Sequence, residues 1–362
     1  ERAMSRGAYV EGARHLADSL GLLACRPPGR DRDEAELAIR NALGIGLIAT
    51  KGYGAEEVER NFSRAQELCA GLEDTSELIP TLYGLFQYHL LRGHRDGPQV
   101  LAARLHQIAS TPEHVLIATA ARGITAFWTS KLAAAITDLE HATALYDVAH
   151  QRTLAQSLGE DAALLAPLYS IWCSFYLGRF DRARAALRRA EALVAEVVSP
   201  YLTATSLVFG MHLGCDLRDA AMARAYAEKC VAVATAHRFP FFLAAASCGR
   251  GWAAILEGDP AAGIAQIEEA LAIVNLTGTA LSAPYWSACM AEGHLRRGDV
   301  DAGLRCVDEG LALAETNLAR LWDPWLHRVK GELLALTPDA AGAESHLRSA
   351  VELARSTGNK AW

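Results

Sequence analysis

The sequence predicts an all-α protein in which pairs of helices stack as a solenoid, and two observations carry this prediction. The first is a repeat, because a glycine or an equivalent residue recurs every 40 residues and is followed at +5 and +12 by a small residue. The most regular of these anchor residues are Gly178, Arg218, Gly258, Gly298 and Pro338. The second is that apolar residues within each copy recur with the period of an α-helix. A fixed period of this length is typical of a repeat solenoid.

The same spacing continues toward the N-terminus in a less regular form. Its anchors there are Ser130, Gly93, Tyr53 and Gly7. We therefore predict a single domain over residues 1–362 with about nine repeats. Intervals of 46 and 48 residues interrupt the period, and they coincide with polar, turn-like sequence near 24–34 and 147–161. We expect enlarged loops at both places.

The second helix of each repeat is predicted to follow its anchor. After Gly298, Asp299 is suited to cap a helix, and an apolar stripe with spacings of 3, 4 and 3 runs from Leu304 to Ala314. Glycine inside a helix costs about 1 kcal/mol relative to alanine. The presence of Gly303 and Gly310 in this helix therefore predicts that a neighbouring helix approaches closely.

The first helix of each repeat is predicted to precede its anchor. Apolar stretches such as 241–256 and 285–295 are long enough for several helical turns. Proline is tolerated in a first helical turn, because its missing N–H would be unpaired there. Four prolines stand where these helices should start: Pro200, Pro240, Pro284 and Pro324. Each repeat is therefore predicted to be helix, turn, helix.

Composition argues against several classes of partner and location. The formal net charge is −7 and no stretch concentrates lysine and arginine, so a nucleic-acid partner is not expected. No window of 18 uninterrupted apolar residues exists and the N-terminus lacks a signal pattern, so no membrane partner is expected. The eight cysteines include no Cys-x-x-Cys pair and indicate core thiols in a reducing compartment. We expect a cytoplasmic protein.

No catalytic or metal-binding motif is complete. The glycines at 44–46 are not followed by the lysine and hydroxyl residue of a phosphate-binding loop. The His-Arg-Asp at 94–96 lacks the other residues of a kinase catalytic loop. The twelve histidines form no His-Glu-x-x-His motif and no tight cluster with carboxylates. We predict that this segment is not an enzyme and binds no metal or cofactor.

The anchor with small residues at +5 and +12 is similar to the tetratricopeptide pattern, in which small residues of the second helix fit against the first. Four glycines lie seven residues before their anchors and match the small position of the first helix in that pattern: Gly46, Gly123, Gly251 and Gly331. The resemblance spans nearly the whole chain and implies a right-handed α-solenoid of tetratricopeptide-like repeats. The period of 40 exceeds the usual 34 and implies longer helices.

A narrower resemblance rests on three segments. They are ATKGY at 49–53 with EVE at 57–59, FPF at 239–241 with RGW at 250–252, and RVKGELL at 328–334. Together they look like the C-terminal repeat region of bacterial multidomain proteins in which a class III adenylate or guanylate cyclase domain and a STAND or AAA ATPase domain come first. A related arrangement occurs in large LuxR-type transcription activators.

The narrower resemblance implies a sensor or scaffold region, part of a longer polypeptide, that binds a protein or ligand and regulates a signalling enzyme domain of the same chain. The inducer-binding region of a LuxR-type activator is one alternative. An oligomerisation scaffold, which would make the protein a homo-oligomer, is the other.

Tetratricopeptide arrays usually present first-helix residues on their concave surface, so positions near 13, 10 and 6 before each anchor are candidates for binding. These positions predict a groove for a peptide, a protein or a small-molecule signal. The candidate residues are Trp172, His212, Arg250, Trp252, Tyr285, Glu292, Trp325, Arg328 and Glu332. Exposed aromatic and arginine side chains are typical of binding hot spots. For Trp172 and Trp252, packing between repeats is favoured over binding in the groove. For Trp325 and Arg328, neither of these two interpretations is favoured.

Overall fold

A computed structural model describes residues 9–70, 78–147, 154, 158, 162–197 and 199–361. Along these residues the chain forms seventeen α-helices and no β-strand. The prediction of an all-α fold is confirmed.

The helices follow one another as antiparallel neighbours, with α1 (Tyr9–Leu23) standing before the first complete pair. The next four pairs are α2 (Arg30–Lys51) with α3 (Glu56–Ala70), α4 (Leu78–Leu91) with α5 (Gly97–Ile108), α6 (Pro112–Trp128) with α7 (Leu132–Ala144), and α8 (Leu165–Tyr176) with α9 (Phe180–Glu196). The last four are α10 (Pro200–Asp216) with α11 (Ala220–His237), α12 (Pro240–Glu257) with α13 (Pro260–Leu276), α14 (Ala283–Arg297) with α15 (Val300–Thr316), and α16 (Asp323–Leu334) with α17 (Ala340–Thr357).

The anchor residues of the sequence repeat lie in the turns between the two helices of a pair. Six of them have a left-handed backbone: Gly93, Ser130, Gly178, Arg218, Gly258 and Gly298. Arg218 has φ of 56°, a conformation that residues with a side chain adopt rarely, so its surroundings must hold it there. The predicted first anchor, Gly7, lies outside the described residues.

The two expected loop enlargements differ in outcome. Near 24–34, helix α2 already begins at Arg30 and is 22 residues long, so the additional residues of this repeat lengthen a helix as well as its loop. The segment 147–161 lies, apart from Asp147, Leu154 and Leu158, outside the described residues.

The predicted helix starts are confirmed in the structure. Pro200 and Pro240 are the first residues of α10 and α12, and Pro284 and Pro324 are the second residues of α14 and α16. The Asp299 side chain caps α15 by accepting a hydrogen bond from the backbone N–H of Ala302 at 3.3 Å.

The helices form two layers that differ sharply in burial. In α8, a first helix, all twelve residues are buried. In α9, the second helix of that pair, burial is confined to one stripe: Ala183, Leu187, Ala190 and Val194. Successive first helices also pack against one another, so they form the inner layer and the second helices form the outer one.

The expected close approach of neighbouring helices is confirmed at the glycines of α15. A Cβ atom at Gly303 would lie 2.7 Å from the side chain of Leu333, and one at Gly310 would lie 2.8 Å from Leu326. Both leucines belong to α16, which packs directly over these two positions.

The solenoid winds far enough for its C-terminal repeats to lie against its N-terminal ones. Leu91, Trp128 and Tyr176 are the last residues of α4, α6 and α8, and carbonyl groups at helix ends lack partners within the helix. Loops from the C-terminal repeats supply those partners. The backbone bonds run from Ala280 and Leu281 to Leu91, from Leu318 to Gly93, from Arg320 to Trp128 and from Lys360 to Tyr176, at 2.7–3.3 Å. We call this set of contacts the inter-turn seam.

Two asparagines order the loops that form the inter-turn seam. Asn317 donates from Nδ2 to the carbonyl of Ala280 at 2.8 Å, and its Oδ1 accepts from the N–H of Ala319 at 3.0 Å. Asn359 makes the equivalent bond to the carbonyl of Leu321 at 3.2 Å. The stacked loops therefore cover the inner layer of the N-terminal repeats.

Candidate functional site

The concave side of the solenoid is a filled interior, in contrast to the exposed groove that the sequence led us to expect. Trp252, Tyr285 and Trp325 are each 1% exposed, and Trp172 and His212 are each 8% exposed. The physical reason is the inter-turn seam, which brings the C-terminal loops over the inner helices. Trp325 is therefore a core residue, and alanine at this position would test packing rather than an exposed contact.

The structure brings five of the predicted residues together in a continuous row of rings. Tyr285 stands at its centre, with its ring centroid 5.1 Å from that of His212 and 5.3 Å from that of Trp325. His212 in turn contacts Trp172 at 5.0 Å, and Trp325 contacts Trp252 at 5.8 Å. Residues from four first helices, α8, α10, α12 and α14, are thus joined to α16.

Three more predicted residues extend this row into a polar cluster, and one does not. Trp325 donates from Nε1 to Glu292 at 3.2 Å, and Arg328 bridges Glu292 at 3.2 Å and Glu332 at 2.6 Å. Arg250 is only partly buried, and its Nε has no hydrogen-bond partner among the described residues. The predicted set therefore forms one site without Arg250.

Trp172 and His212 of this row line a cavity of about 110 Å³, which we call the chamber. Its walls are mainly aromatic and come from both turns of the superhelix. Trp128 of α6 and Trp322, which precedes α16, meet across the inter-turn seam with ring centroids 5.3 Å apart. The chamber exists only because the two turns meet.

Asp216, the last residue of α10, is the one acidic residue among the described residues that line the chamber. It is 7% exposed. Tyr285 donates to its Oδ1 at 3.0 Å and Tyr176 donates to its Oδ2 at 3.2 Å, while Trp322 donates from Nε1 to the Tyr176 hydroxyl at 2.8 Å. Burial raises the pKa of the Asp216 carboxyl to about 7, although the two tyrosine hydrogen bonds act in the opposite direction.

His212 is a second ionisable side chain of the chamber wall whose pKa is shifted. Complete burial lowers the pKa of His212 to about 3, so the ring is neutral at physiological pH. No lysine or arginine is present among the described residues that line the chamber. The chamber therefore holds an acidic group and lacks a positive charge.

Asp216 also lines a second, open cavity of about 670 Å³, which we call the basin. There Glu292 accepts from both Nη atoms of Arg218, each at 2.6 Å, and from Arg328 at 3.2 Å. The Arg218 guanidinium lies over the Trp252 ring, 5.6 Å from its centroid. Burial opposes ionisation of Glu292, but the hydrogen bonds and charges of the two arginines outweigh it and lower the pKa of Glu292.

Sequence reasoning missed Asp216, Tyr176 and Trp322, although a signal for the first two is present. Tyr176 and Asp216 are 40 residues apart and each lies two residues before an anchor. In the same register stand Leu256, Arg296 and Leu336, so Asp216 is the acidic residue at a position that varies between repeats. Trp322 carries no such signal, because its contacts join repeats that are distant in sequence.

Within the part of the chain that the structure describes, no group of three or more His, Cys, Asp or Glu side chains is arranged to hold a metal ion. In the same residues, no helix combines the length and the apolar character that crossing a membrane requires.

No protein-family model and no curated protein sequence matches the chain. Solved structures do resemble it in fold. A Rap protein complexed with competence and sporulation factor matches with a TM-score of 0.62 and 14% identity, over 89% of this chain and 87% of that one. Cut9 from the APC/C hetero-tetramer Cut9–Hcn1 matches with a TM-score of 0.55 and 17% identity, over 96% of this chain and 59% of that one. The chain therefore has the fold of tetratricopeptide-like helical solenoids.

Proposed function

We propose that this chain is a sensor region that binds a small-molecule signal in its chamber and passes the bound state to a signalling domain. One observation carries the proposal: the chamber lies between the two turns of the superhelix and is lined by residues such as Trp128 on one turn and Trp322 on the other. A ligand held there touches both turns at once. The Rap protein of similar fold was solved with a bound factor, which supports a signal-binding role for this architecture.

Such a ligand has a way to change the protein. A sensor needs two states with different affinity for the signal. The inter-turn seam offers them, because the turns are joined by a few backbone hydrogen bonds and by contacts around the chamber. A ligand that binds only the closed state stabilises it by RT ln(1 + [L]/Kd), which is about 2.7 kcal/mol at 100 times Kd. That free energy is then available to bias a neighbouring domain.

The output that we propose follows the resemblance of the repeats. The regulated domain is a class III adenylate or guanylate cyclase, with a STAND or AAA ATPase domain, on the same cytoplasmic polypeptide. A LuxR-type transcription activator, in which the chamber would receive the inducer, is the alternative output. In both cases the chain itself binds and does not catalyse.

A second candidate function is an oligomerisation scaffold, and exposed apolar side chains on the last helix pair favour it. Leu336 is 60% exposed, Val351 47% and Leu347 39%. A second copy of this chain packing on these residues would give a mass that rises with protein concentration, measured by sedimentation. A mass that stays that of one chain at all concentrations contradicts this candidate.

The sensor proposal is tested by filling the chamber. Val208, on α10, is 7% exposed and lines the cavity, so Val208→Trp occupies the space that a ligand would need. Val100→Trp, at a position 66% exposed on α5, is the matched control. After incubation with a metabolite extract, native mass spectrometry should find a small mass retained by the wild type and by Val100→Trp and lost from Val208→Trp.

Two results would contradict the sensor proposal. One is a small mass retained equally by all three proteins, which places the ligand outside the chamber. The other is no retained mass in any of them. Thermal unfolding of Val208→Trp shows that the variant is folded, with an expected loss of about 1–3 kcal/mol from overpacking.

The cyclase output has its own test in the full-length polypeptide. Formation of cyclic AMP or cyclic GMP should respond to the metabolite extract, and Val208→Trp should abolish the response while basal formation continues. A full-length protein that forms neither nucleotide contradicts this output and leaves the sensor proposal to the experiment above.

A further inference from the structure

We infer that the chamber binds a small organic cation, an ammonium compound of about the size of choline, whose charge pairs with the Asp216 carboxylate. The inference rests on the proposed sensor function and adds the chemical class of its ligand. It follows from the charge of the chamber, from the chemistry of its walls and from its size.

Asp216 lacks the positive partner that a buried carboxylate normally has. No described lysine, arginine or histidine lies within ion-pair distance of it, and its two hydrogen-bond donors, Tyr176 and Tyr285, are neutral. A buried charge is costly unless it is paired. An ionised carboxylate has about four acceptor sites, and the two hydroxyl groups use two of them. A ligand ammonium is thus the group that completes this site.

The walls have the chemistry that binds organic cations. Four tryptophans line the chamber: Trp128, Trp172, Trp286 and Trp322. Aromatic side chains attract a cation through the ring quadrupole, most strongly where the cation is desolvated, and tryptophan is the best of them. Enclosures of aromatic rings beside a carboxylate suit quaternary ammonium groups, which have no N–H donors to satisfy.

Other ligand classes fit the chamber less well. An anion would meet an uncompensated carboxylate at Asp216. A neutral apolar ligand would leave that carboxylate buried without a partner, or protonated. The basin on the other side of Asp216 does not repel a cation, because the charges of its four charged lining residues, Asp216, Arg218, Glu292 and Arg328, sum to zero when Asp216 is ionised.

The size of the chamber agrees with this ligand class. Its volume of about 110 Å³ is in the range of cavities that hold one benzene-sized molecule, about 150 Å³. A trimethylammonium head is of that order. Asp216 lines both the chamber and the basin.

Ionisation of Asp216 gives the inference a second signature. The groups that face its carboxyl are Tyr176, Tyr285, Cys215 and Cys289, all with pKa values raised by burial, and the neutral His212 stands beside Tyr285. Of these groups, Asp216 alone titrates near neutrality, because its pKa is raised to about 7. A bound cation favours the ionised form, so cation binding near pH 7 should release up to about one proton and should strengthen as pH rises.

The experiment compares choline with its neutral isostere, 3,3-dimethylbutan-1-ol, in which carbon replaces the charged nitrogen. Binding to this chain is measured by calorimetry and by tryptophan fluorescence. We expect choline to bind the wild type at least about tenfold more tightly than the alcohol, since pairing and ring contacts together exceed 1.4 kcal/mol. Asp216→Asn should remove that preference, whereas Glu309→Gln, which changes the net charge equally at an exposed position, should keep it.

The outcomes separate this inference from the proposal on which it rests. If the alcohol binds as tightly as choline, or if Asp216→Asn binds choline as well as the wild type does, the cation assignment is wrong and an apolar ligand site remains. If neither probe binds, the cation assignment is again wrong, and the metabolite experiment with Val208→Trp decides the sensor function separately. Circular dichroism and thermal unfolding show that Asp216→Asn is folded, and calorimetry in two buffers of different ionisation enthalpy measures the released proton.

Discussion

Asp216 and Glu292 are two carboxylates of the same basin that are buried to the same depth and behave in opposite ways. Asp216 is 7% exposed and Glu292 is 6% exposed. Two tyrosine hydroxyls hold Asp216, and its pKa is raised to about 7, whereas two arginines hold Glu292, and its pKa is lowered. The hydrogen bonds and charges of the two arginines outweigh the effect of burial at Glu292, whereas at Asp216 burial outweighs the two tyrosine hydrogen bonds. The charge of Glu292 is neutralised by arginines of the same chain, whereas the hydrogen-bond donors of Asp216 are uncharged.

The two carboxylates therefore have opposite effects on stability as pH changes. The native state holds the Asp216 proton more tightly than the unfolded chain does, so stability falls as pH rises from about 4 to about 7. Glu292 has a lowered native pKa, so its contribution is present above the ordinary glutamate pKa and is lost as pH falls through the native value. Substitutions at either carboxylate, or at one of its partners, therefore test the comparison.

The largest expected effect is the pH dependence that Asp216 causes. A shift from the ordinary aspartate value to about 7 corresponds to a free energy on the order of 4 kcal/mol. Between pH 4 and pH 8, the unfolding free energy of the wild type should fall by up to about this amount relative to Asp216→Asn, which cannot ionise. Urea denaturation at a series of pH values measures the difference. Parallel pH profiles for the two proteins would mean that Asp216 is ionised at an ordinary pKa.

The next effect in size concerns Glu292. Glu292→Gln removes the charge that holds Arg218 and Arg328, and breaking a buried ion pair on one side costs about 3–5 kcal/mol. We expect about 3 kcal/mol at pH 7, because the two arginine side chains are 36% and 29% exposed and regain some hydration.

The control for Glu292 is an ion pair of equal length on the surface. Arg348 and Glu344 are also 2.6 Å apart but are 67% and 73% exposed. Glu344→Gln should cost less than about 1 kcal/mol, because water screens the pair. If urea denaturation gave equal losses of unfolding free energy for the two glutamate variants, burial would add nothing to the ion pairs of Glu292 with Arg218 and Arg328.

The helical architecture could be predicted from the sequence, because it depends on local features. The 40-residue period, the prolines at helix starts and the cap at Asp299 each act within one repeat, and the structure confirms them at Pro200, Pro240, Pro284 and Pro324. Left-handed turns at Gly178 and Gly258 follow from the same local pattern.

The candidate site could be predicted only in part. The five rings and the group of Glu292, Arg328 and Glu332 were predicted because first-helix positions of neighbouring repeats face the same side, whereas Arg218 was predicted only as an anchor of the repeat. The sequence could not predict that the C-terminal loops cover the concave side. The bond from Lys360 to Tyr176 and the contact of Trp322 with Trp128 join residues far apart in the sequence. Superhelical pitch decides whether such residues meet, and small rotations summed over many repeats set that pitch.

A smaller effect is expected from the hydroxyl that links Asp216 to the inter-turn seam. Tyr176→Phe removes a hydrogen bond that favours the ionised carboxylate and leaves Nε1 of Trp322 without this acceptor. Hydrogen bonds to charged groups contribute about 1.5–3 kcal/mol, so we expect a loss of about 2 kcal/mol at pH 8 and a smaller loss at pH 5, where Asp216 is protonated.

The matched control for Tyr176 is Tyr226→Phe, which removes a hydroxyl bonded to Glu191 on the outer layer. Its loss should be smaller, because Tyr226 is only half-buried, and should vary less between pH 5 and pH 8. Chemical denaturation at the two pH values compares the variants. A loss for Tyr176→Phe that is independent of pH would separate this hydroxyl from the ionisation of Asp216.

The smallest expected loss of stability distinguishes the three arginines that contact Glu292, which are Arg218, Arg296 and Arg328. Arg296 reaches Glu292 at 3.5 Å and is 38% exposed, whereas Arg218 binds it with two bonds at 2.6 Å and lies over Trp252. Arg296→Ala should therefore cost less than about 1 kcal/mol in urea denaturation, as exposed pairs do. A loss comparable to that of Glu292→Gln would mean that the carboxylate needs all three guanidinium groups, and that its low pKa reflects total positive charge rather than the bidentate bond of Arg218. The expected small loss leaves Arg218 and Arg328 as the partners that distinguish Glu292 from Asp216.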